Sequence, residues 1–181
     1  MTTGATDSKT RITVRRIVEA DNDAIAAIWN HEVQWSDATF DTEPRTAAAQ
    51  AEWFASHDDR YPAIVAVAAG EVVAYGTLSP YRSKPAYRMA VEDAVYVAAA
   101  HRGRGLGGLF VGHLVELARE RSYHAVMARI TGGNDASIRL HERHGFQTVG
   151  VEREIGFKFG KWRDVVVMER VLDDRDPPEA R

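Results

Sequence analysis

The residues best suited to chemistry form a glycine-rich loop, residues 101–108 with the sequence HRGRGLGG, between a segment typical of a strand and one typical of a helix. A helix N-terminus presents unpaired backbone N–H groups and partial positive charge, and glycines let a ligand approach the backbone closely. Arg102 and Arg104 can add charge-assisted hydrogen bonds. This glycine loop therefore predicts a phosphate site, the alternative being a tight strand-to-helix connection with a solvated basic flank.

The glycine loop matches one nucleotide-binding motif only in part. Gly103, Gly105 and Gly108 satisfy the spacing G-x-G-x-x-G of dinucleotide-binding folds. Those folds also place an acidic residue at the end of the next strand, about 20 residues on, where this sequence has ARIT at residues 128–131. The sequence contains no G-x-x-x-x-G-K-[ST] motif either. These observations disfavour a nucleotide-dependent oxidoreductase and an NTP-binding loop.

Glu92 is the leading candidate for a general base. It lies in an otherwise apolar segment that comes just before the glycine loop, where burial can raise the pKa of a carboxyl group into a useful range. The alternatives are a carboxylate at a strand edge and an ion-pair partner for Arg88. Asp93 is expected to face the opposite side of a regular strand.

His141 is the second candidate for proton transfer, because histidine can act as an acid or a base near neutral pH. The alternative is a structural histidine packed near Phe146. His141 and His144 are three residues apart on a predicted helix, but no third ligand is evident. We therefore expect no metal site.

Eleven elements in the order β-α-α-β-β-β-α-β-α-β-β must position these residues, as judged from apolar alternation and from three- and four-residue spacings. The predicted strands are Ile12–Val18, Ile64–Ala68, Val72–Leu78, Val91–Ala98, Tyr123–Ile130, Val149–Phe159 and Val165–Val171. The first predicted helix is capped by Asp21 or Asn22 and carries Ile25, Ile28, Trp29 and Val33, and the others are Ala47–Ala55, Leu106–Arg121 and a helix capped by Asn134 that ends near His144. This order is neither strictly alternating nor all-β, and it predicts a mixed sheet flanked by helices.

The composition indicates an ordinary globular protein. The chain has 181 residues, 45% of them hydrophobic and 27% charged, which fits one domain over residues 11–172. We expect a disordered N-terminal segment over residues 1–10 and a polar tail over residues 173–181.

Charge and residue usage exclude several function classes. The net charge of -3 argues against a nucleic-acid partner. The absence of cysteine removes disulfides, thiolate metal sites and a cysteine nucleophile, and it fits a reducing compartment. The first ten residues lack an apolar leader, and no run approaches about 18 apolar residues, so we expect a cytoplasmic protein with no membrane partner.

Residues 102–107 also read as R/Q-x-x-G-x-G, and residues 134–146, NDASIRLHERHGF, form a second segment that ends in G-F. With these motifs and the element order, the sequence resembles the GNAT family of acetyl-CoA-dependent N-acetyltransferases from about Val14 to Val171. The resemblance implies an α/β (α+β) fold with a mixed, mostly antiparallel central sheet of about seven strands flanked by about four helices. It also implies acetyl-CoA as the cosubstrate, with its pyrophosphate held by the glycine loop.

Three further segments resemble one branch of that family: residues 38–44 (ATFDTEP), 91–97 (VEDAVYV) and 156–165 (GFKFGKWRDV). This branch acetylates the α-amine of small amino-acid analogues such as phosphinothricin, methionine sulfoximine and methionine sulfone. The sequence departs from it at Arg102, a position where glutamine is frequent, and at Arg163, where leucine is frequent. The second departure could alter the pocket or the interface.

The resemblance assigns roles to individual residues. The matching glutamate, Glu92, is held to be the base, acting through a water, and His141 occupies a helix position where many members carry a tyrosine that protonates the CoA thiolate. The implied cofactor-binding residues are Val95, Tyr96, Val97, Arg102, Gly103, Arg104, Gly105, Leu106, Gly107, Asn134 and Ser137. Apart from the resemblance, Arg82 or Arg88, in the segment leading to the Glu92 strand, could hold the substrate carboxylate or a phosphinate, the alternative being a solvated basic loop. Phe40 could form one side of the pocket, the alternative being a core or surface-loop aromatic. Acetyl transfer would then be direct, within a ternary complex.

Three alternatives stay open at this point. The chain could be a non-catalytic CoA-binding or sensor module, although the presence of both Glu92 and His141 counts against this. It could instead acetylate another amine, such as a polyamine or a protein N-terminus, although polyamines favour an acidic pocket. The resemblance also implies a homodimer with the last hairpin, including Lys158, Trp162 and Arg163, near its interface.

Overall fold

The computed structural model describes residues 11–172. The predicted disordered N-terminal segment and polar C-terminal tail lie outside the described residues. Seven strands and four α-helices follow one another in the predicted order. The strands are β1 (Ile12–Arg16), β2 (Ala63–Ala68), β3 (Glu71–Pro80), β4 (Ala90–Val97), β5 (Ala125–Thr131), β6 (Gln147–Lys158) and β7 (Lys161–Val171). The helices are α1 (Asn22–Trp35), α2 (Ala47–Ala55), α3 (Leu106–Glu120) and α4 (Asp135–Arg143).

The seven strands form one sheet in the order β1-β2-β3-β4-β5-β7-β6. All neighbouring strands are antiparallel except β4 and β5, which are parallel. A connection between parallel strands must cross over the sheet, and α3 provides this crossover between β4 and β5. The mixed, mostly antiparallel sheet with four helices confirms the predicted fold class.

Helices cover both faces of the sheet, and alternation along β4 separates them. Val91 packs in a core cluster with α3 residues such as Phe110 and Leu114, so the odd-numbered residues of β4 point to this α3/α4 face. Tyr96 packs against a second cluster that includes Trp29 of α1, so the even-numbered residues point to the α1 face. Successive side chains of a strand point to opposite faces, so Glu92 and Asp93 lie on different sides of the sheet.

The parallel pair separates soon after it forms. Its register joins Ala90–Glu92 to Ala125–Met127, and no further pairs follow. Beyond Glu92, β4 continues to pair only with β3 on its other edge. One backbone edge of β4 is therefore free of strand partners over residues 93–97, and a cleft opens between β4 and β5.

Several predicted boundaries shift, and each shift has a local cause. The first strand ends at Arg16 rather than Val18, and Asp21 stands at the N-cap of α1 without capping it through its side chain. The carboxylate of Asp21 instead accepts two hydrogen bonds from Arg15, at 2.7 and 2.8 Å. The last strand begins at Lys161 instead of Val165, because its polar first residues pair with the end of β6.

Candidate active site

A cleft of about 1260 Å³ lies where β4 and β5 separate. Its lining comes from the end of α1 and the residues after it, β4, the glycine loop, β5, α4 and Arg163 of β7. The cleft brings together most of the predicted site residues, namely Glu92, Val95, Tyr96, Val97, Arg102, Gly103, Gly105, Leu106, Gly107, Asn134, Ser137 and His141. The predicted residues Phe40, Arg82, Arg88 and Arg104 do not line it.

The glycine loop directs the N-terminus of α3 into this cleft. Gly105 is the N-cap residue of α3 and has a φ of 81°, a left-handed conformation that favours glycine. Gly107 lies in the first turn, where a Cβ atom would stand 2.7 Å from Leu140 Cδ1 of α4. The first turn of α3 can therefore pack closely on α4 while its free backbone N–H groups face the cleft, which fits an anion site.

The side chain of Arg102 has a partner that the sequence analysis does not predict. Its Nη2 forms an ion pair with Oε1 of Glu32, and its Nε donates to the carbonyl of Val97 at 3.1 Å. Glu32 is only 3% exposed, and its other carboxylate oxygen accepts from Ser36 Oγ at 2.7 Å. Arg102 thus fastens the glycine loop to α1, and the backbone of the loop is the part left to meet a phosphate group.

Asn134 caps α4 as predicted. Its side-chain oxygen accepts a hydrogen bond from the backbone N–H of Ser137 at 3.2 Å. This contact uses only the carbonyl end of the amide, so the NH2 end of Asn134 can still donate to a ligand in the cleft. The predicted roles as a helix cap and as a cofactor contact are compatible in this geometry.

His141 forms a buried pair with Asp93 across the cleft floor. Its Nε2 lies 3.2 Å from Asp93 Oδ2, and its Nδ1 lies 2.8 Å from the carbonyl oxygen of Ser137. Burial lowers the pKa of His141, but the hydrogen bond and charge of Asp93 outweigh this and raise its pKa above the ordinary value. With acceptors on both sides, the ring is fully satisfied only as an imidazolium.

The ring of His141 also packs edge-on against Phe146, with centroids 5.0 Å apart. These contacts fit the alternative interpretation, in which His141 is a structural histidine. To protonate a ligand in the cleft, His141 would have to break its contact with Asp93 or Ser137.

The side chain of Glu92 differs from that of His141 in its partners. It is partly buried at the cleft, and within residues 11–172 its carboxylate has no hydrogen bond or ion pair. Burial raises the pKa of Glu92, while the positive charges of Arg129 and Arg82 act to lower it. The ion pair with Arg88 that the sequence analysis weighed is absent from the described structure. An unpaired carboxylate with a raised pKa can accept a proton near neutral pH.

The charged residues near Glu92 are only partly those predicted. Arg82 is exposed, with its guanidinium 4.8 Å from the ring centroid of Tyr81. Arg88 is exposed and is not among the charges that act most strongly on Glu92. The unpredicted Arg129 of β5 lines the cleft and forms a bidentate ion pair with Glu152 of β6, at 3.0 and 2.6 Å.

Phe40 packs against the last hairpin instead of lining the cleft. A Cβ atom at Gly156 would approach the ring of Phe40 to 2.3 Å, so glycine permits this contact. Lys158, which is 4% exposed, donates to the carbonyl of Thr39 at 2.7 Å. Burial lowers the pKa of Lys158. The end of β6 therefore holds the segment that follows α1, whose residues Ser36, Asp37 and Ala38 line the cleft.

Two of the missed residues carried a visible sequence signal. Glu32 lies four residues after Ile28 and three after Trp29, on the apolar stripe of α1. Asp93 alternates with Val91 and Val95 on the apolar face of β4. A charged residue on a buried stripe requires a partner, so both positions could have been marked as buried ion pairs.

Metal-binding side-chain groups and membrane-spanning helices are both absent from the described part of the chain. Among residues 11–172, no three His, Asp or Glu side chains are grouped so that they could hold a metal ion. None of the helices in the same range is long and apolar enough to cross a bilayer.

Several known proteins are similar to this chain in sequence or in structure. The model of the acetyltransferase (GNAT) family matches residues 24–146. Phosphinothricin N-acetyltransferase of Streptomyces coelicolor is 42% identical over 165 residues, which cover 89% of this chain and 96% of that protein. The L-methionine sulfoximine/L-methionine sulfone acetyltransferase of Salmonella typhimurium is 37% identical over 174 residues, covering 93% and 99%.

A solved structure extends the similarity to the whole fold. The crystal structure of a GNAT superfamily phosphinothricin acetyltransferase from Sinorhizobium meliloti in complex with acetyl-CoA matches with a TM-score of 0.89 at 33% identity. The match covers 93% of this chain and 94% of that chain. Sequence, fold and cleft geometry lead to one conclusion: this chain belongs to the GNAT family of acetyltransferases.

Proposed function

We propose that this protein transfers an acetyl group from acetyl-CoA to the α-amine of a small amino acid or analogue, directly within a ternary complex. The observation that carries the proposal is the cleft between β4 and β5, which joins an anion-binding helix N-terminus to an unpaired carboxylate, Glu92. The relatives named above as phosphinothricin and methionine sulfoximine/sulfone acetyltransferases support the substrate class.

The residues of the cleft fit acetyl-CoA, which supplies the activated acetyl group as a thioester. The backbone N–H groups at the start of α3 would hold the pyrophosphate, as helix N-termini do for other anions. The free edge of β4 at Val95–Val97 offers backbone groups to the pantetheine arm and to the thioester oxygen. The amide NH2 of Asn134 would add a further donor, and Ser137 lies beside it.

Glu92 would accept the proton of the substrate amine, directly or through a water. An α-amine is mostly protonated near neutral pH, so it must lose a proton before it can attack the thioester. The predicted catalytic role of His141 stays a prediction. Its contacts favour a structural role in which the imidazolium pairs with the buried carboxylate of Asp93.

Arg82 is the proposed partner for the substrate carboxylate, since it is exposed and its positive charge acts on Glu92. Arg88 and Phe40 keep their predicted substrate roles only as proposals, because neither lines the cleft. Arg82 has no ion pair among residues 11–172, and its positive charge favours an acceptor that carries an anionic group over a polyamine.

The test is thiol release from acetyl-CoA, measured with phosphinothricin, methionine sulfone, methionine sulfoximine and ordinary amino acids, and with spermidine as a polyamine control. We expect release to be accelerated by the amino-acid analogues and not by spermidine. If acetyl-CoA binds but no amine accelerates thiol release, the protein is a CoA-binding module and the enzymatic proposal fails. If spermidine or an N-terminal peptide is the best acceptor, the substrate class is wrong.

We propose in addition that the protein is a homodimer that associates through the last hairpin. Six apolar side chains of this hairpin are at least half exposed: Val149, Val151, Ile155, Phe157, Phe159 and Trp162. An exposed apolar strip on an edge strand favours association with another protein surface. Light scattering should give a mass near twice 20.1 kDa, and Trp162→Glu should shift it toward the monomer.

A cytoplasmic location also remains a proposal. It rests on the cysteine-free composition, which suits a reducing compartment. Cell fractionation tests it, and recovery of the protein with secreted material would overturn it.

A further inference from the structure

Arg129 lies beside Glu92 but is bound elsewhere. Glu92 pairs with Met127 in the parallel register of β4 and β5, and Arg129 is two residues further along β5. Residues two apart on a strand share a face and lie roughly 7 Å apart. The guanidinium of Arg129 nevertheless donates Nη1 and Nη2 to the two carboxylate oxygens of Glu152, at 3.0 and 2.6 Å.

The strand order explains how Glu152 reaches Arg129. In the sheet, β7 lies between β5 and β6, with Arg129 opposite Val167 and Glu152 opposite Val165. Glu152 therefore meets Arg129 diagonally across β7. The register of β6 shifts between Glu152 and Gly156, so Glu152 stands at the edge of an irregularity, and its side chain reaches Arg129 from there.

An arginine close to an unpaired carboxylate normally pairs with it. Such a pair would take up the oxygens of Glu92 and stabilise its ionised form, and the substrate amine would then lose its acceptor. We propose that Glu152 is a positioning residue that holds Arg129 away from Glu92 and so leaves Glu92 free to accept the substrate proton. This inference rests on the proposed role of Glu92.

The charges that act most strongly on Glu92 come from three strands and one loop. Asp93 follows it in β4, Arg82 lies after β3, Arg129 is in β5 and Glu152 in β6. Burial raises the pKa of Glu92, the two arginines act to lower it, and the two acidic residues act to raise it. If Glu152 lost its charge, the pKa of Glu92 would fall. An ion pair between Glu92 and the released Arg129 would lower it further.

The experiment measures kcat/KM for the amine against pH in Glu152→Gln, with the exposed Glu154→Gln from the same strand as a matched control. For Glu152→Gln we expect the decrease of kcat/KM at low pH, the acid limb of the profile, to move down by about one pH unit or more. The pH-independent maximum of kcat/KM, the plateau of the profile, should be reduced about tenfold. The Kd for acetyl-CoA should stay unchanged, and Glu154→Gln should behave as the unmodified protein.

A second variant separates this role from a structural one. In Glu152→Gln/Arg129→Met the arginine that could pair with Glu92 has been removed. The plateau of kcat/KM should therefore return to that of Arg129→Met alone. Arg129→Met itself leaves the negative charge of Glu152 unpaired and should move the acid limb to higher pH. A double variant as impaired as Glu152→Gln would overturn the inference, as would an unshifted limb in Glu152→Gln.

Glu92→Gln, measured in parallel, distinguishes the two levels of the proposal. If it removes the acid limb while Glu152→Gln changes nothing, Glu92 keeps its proposed role and only the inference about Glu152 fails. If the acid limb survives in Glu92→Gln, both fail.

Discussion

Glu92 and Asp93 are neighbours in β4, yet their carboxylates lie in opposite environments. Asp93 is 6% exposed and paired with His141 on the α3/α4 face, where helix α4 covers it. Glu92 lies on the α1 face, partly buried at the cleft, with no partner among the described residues. Alternation along one strand thus separates a carboxylate that stabilises the fold from one that can exchange a proton.

The difference arises from the surroundings and not from the residue type. On the α3/α4 face, a helix residue is available to pair with the acid. On the α1 face, the nearby arginine is already held by Glu152. A paired, desolvated carboxylate contributes to stability, whereas an unpaired one with a raised pKa is poised for general-base catalysis.

The largest expected effect follows from removal of the unpaired carboxylate. Glu92→Gln should reduce kcat by about 10²- to 10⁴-fold, because general-base catalysis contributes that much. Burial raises the pKa of Glu92, so in the unmodified protein kcat/KM should fall as the pH drops through a value above the ordinary glutamate range. This limb should be absent from the variant. The affinity for acetyl-CoA, measured by calorimetry, should be unchanged. If the variant lost acetyl-CoA binding as well as kcat, the cleft would be misfolded.

On the other face, the same kind of substitution should affect stability instead of rate. The pKa of His141 is raised in the folded state, so the stabilisation from its pair with Asp93 is complete below the unfolded histidine pKa and is lost as the pH rises through the folded pKa. Asp93→Asn should therefore cost about 2–3 kcal/mol near pH 5.5 and progressively less at higher pH. Urea unfolding between pH 5.5 and 9 measures this.

Glu71→Gln, at an exposed position at the start of β3, serves as the control for that series. It should leave the free energy of unfolding nearly unchanged at every pH. A penalty for Asp93→Asn that is constant across the range would show that the charge of His141 is not involved.

The contrast between the two carboxylates could be read from the sequence only in part. Alternation in VEDAVYV predicts that Glu92 and Asp93 point to opposite faces, and the glycine loop, the Asn134 cap and the element order also follow from local pattern. These features depend on residues close together in the chain, where spacing carries the information.

The partners of the charged residues were not predictable in the same way. Glu32 meets Arg102 from 70 residues away, and Glu152 meets Arg129 only because β7 inserts between β5 and β6. Such pairs depend on strand order and on an irregular register, neither of which has a period in the sequence. The same reason accounts for Phe40, which was a candidate for one side of the pocket but packs on Gly156 of a distant hairpin.

A smaller effect is expected where the α1 face meets that hairpin. In Gly156→Ala the new Cβ would clash with the ring of Phe40, which must move, at a cost of about 1–3 kcal/mol. If the segment after α1 helps to shape the acceptor side, the KM for the amine should rise several-fold while the KM for acetyl-CoA stays constant. Gly150→Ala in the same strand has open space and is the matched control. Equal changes in both KM values would contradict an acceptor-side role.

The smallest expected effect concerns the cofactor side, at the start of α4. Asn134→Ala removes the cap of that helix and should cost about 1 kcal/mol of unfolding free energy. Asn134→Ser keeps a capping oxygen but lacks the amide NH2, so it should retain the stability while weakening acetyl-CoA binding as much as Asn134→Ala does. If Asn134→Ser binds acetyl-CoA with unchanged Kd, the residue acts only as a cap. Since Glu92 is on the other face of the sheet, the acid limb of kcat/KM should not move in either variant.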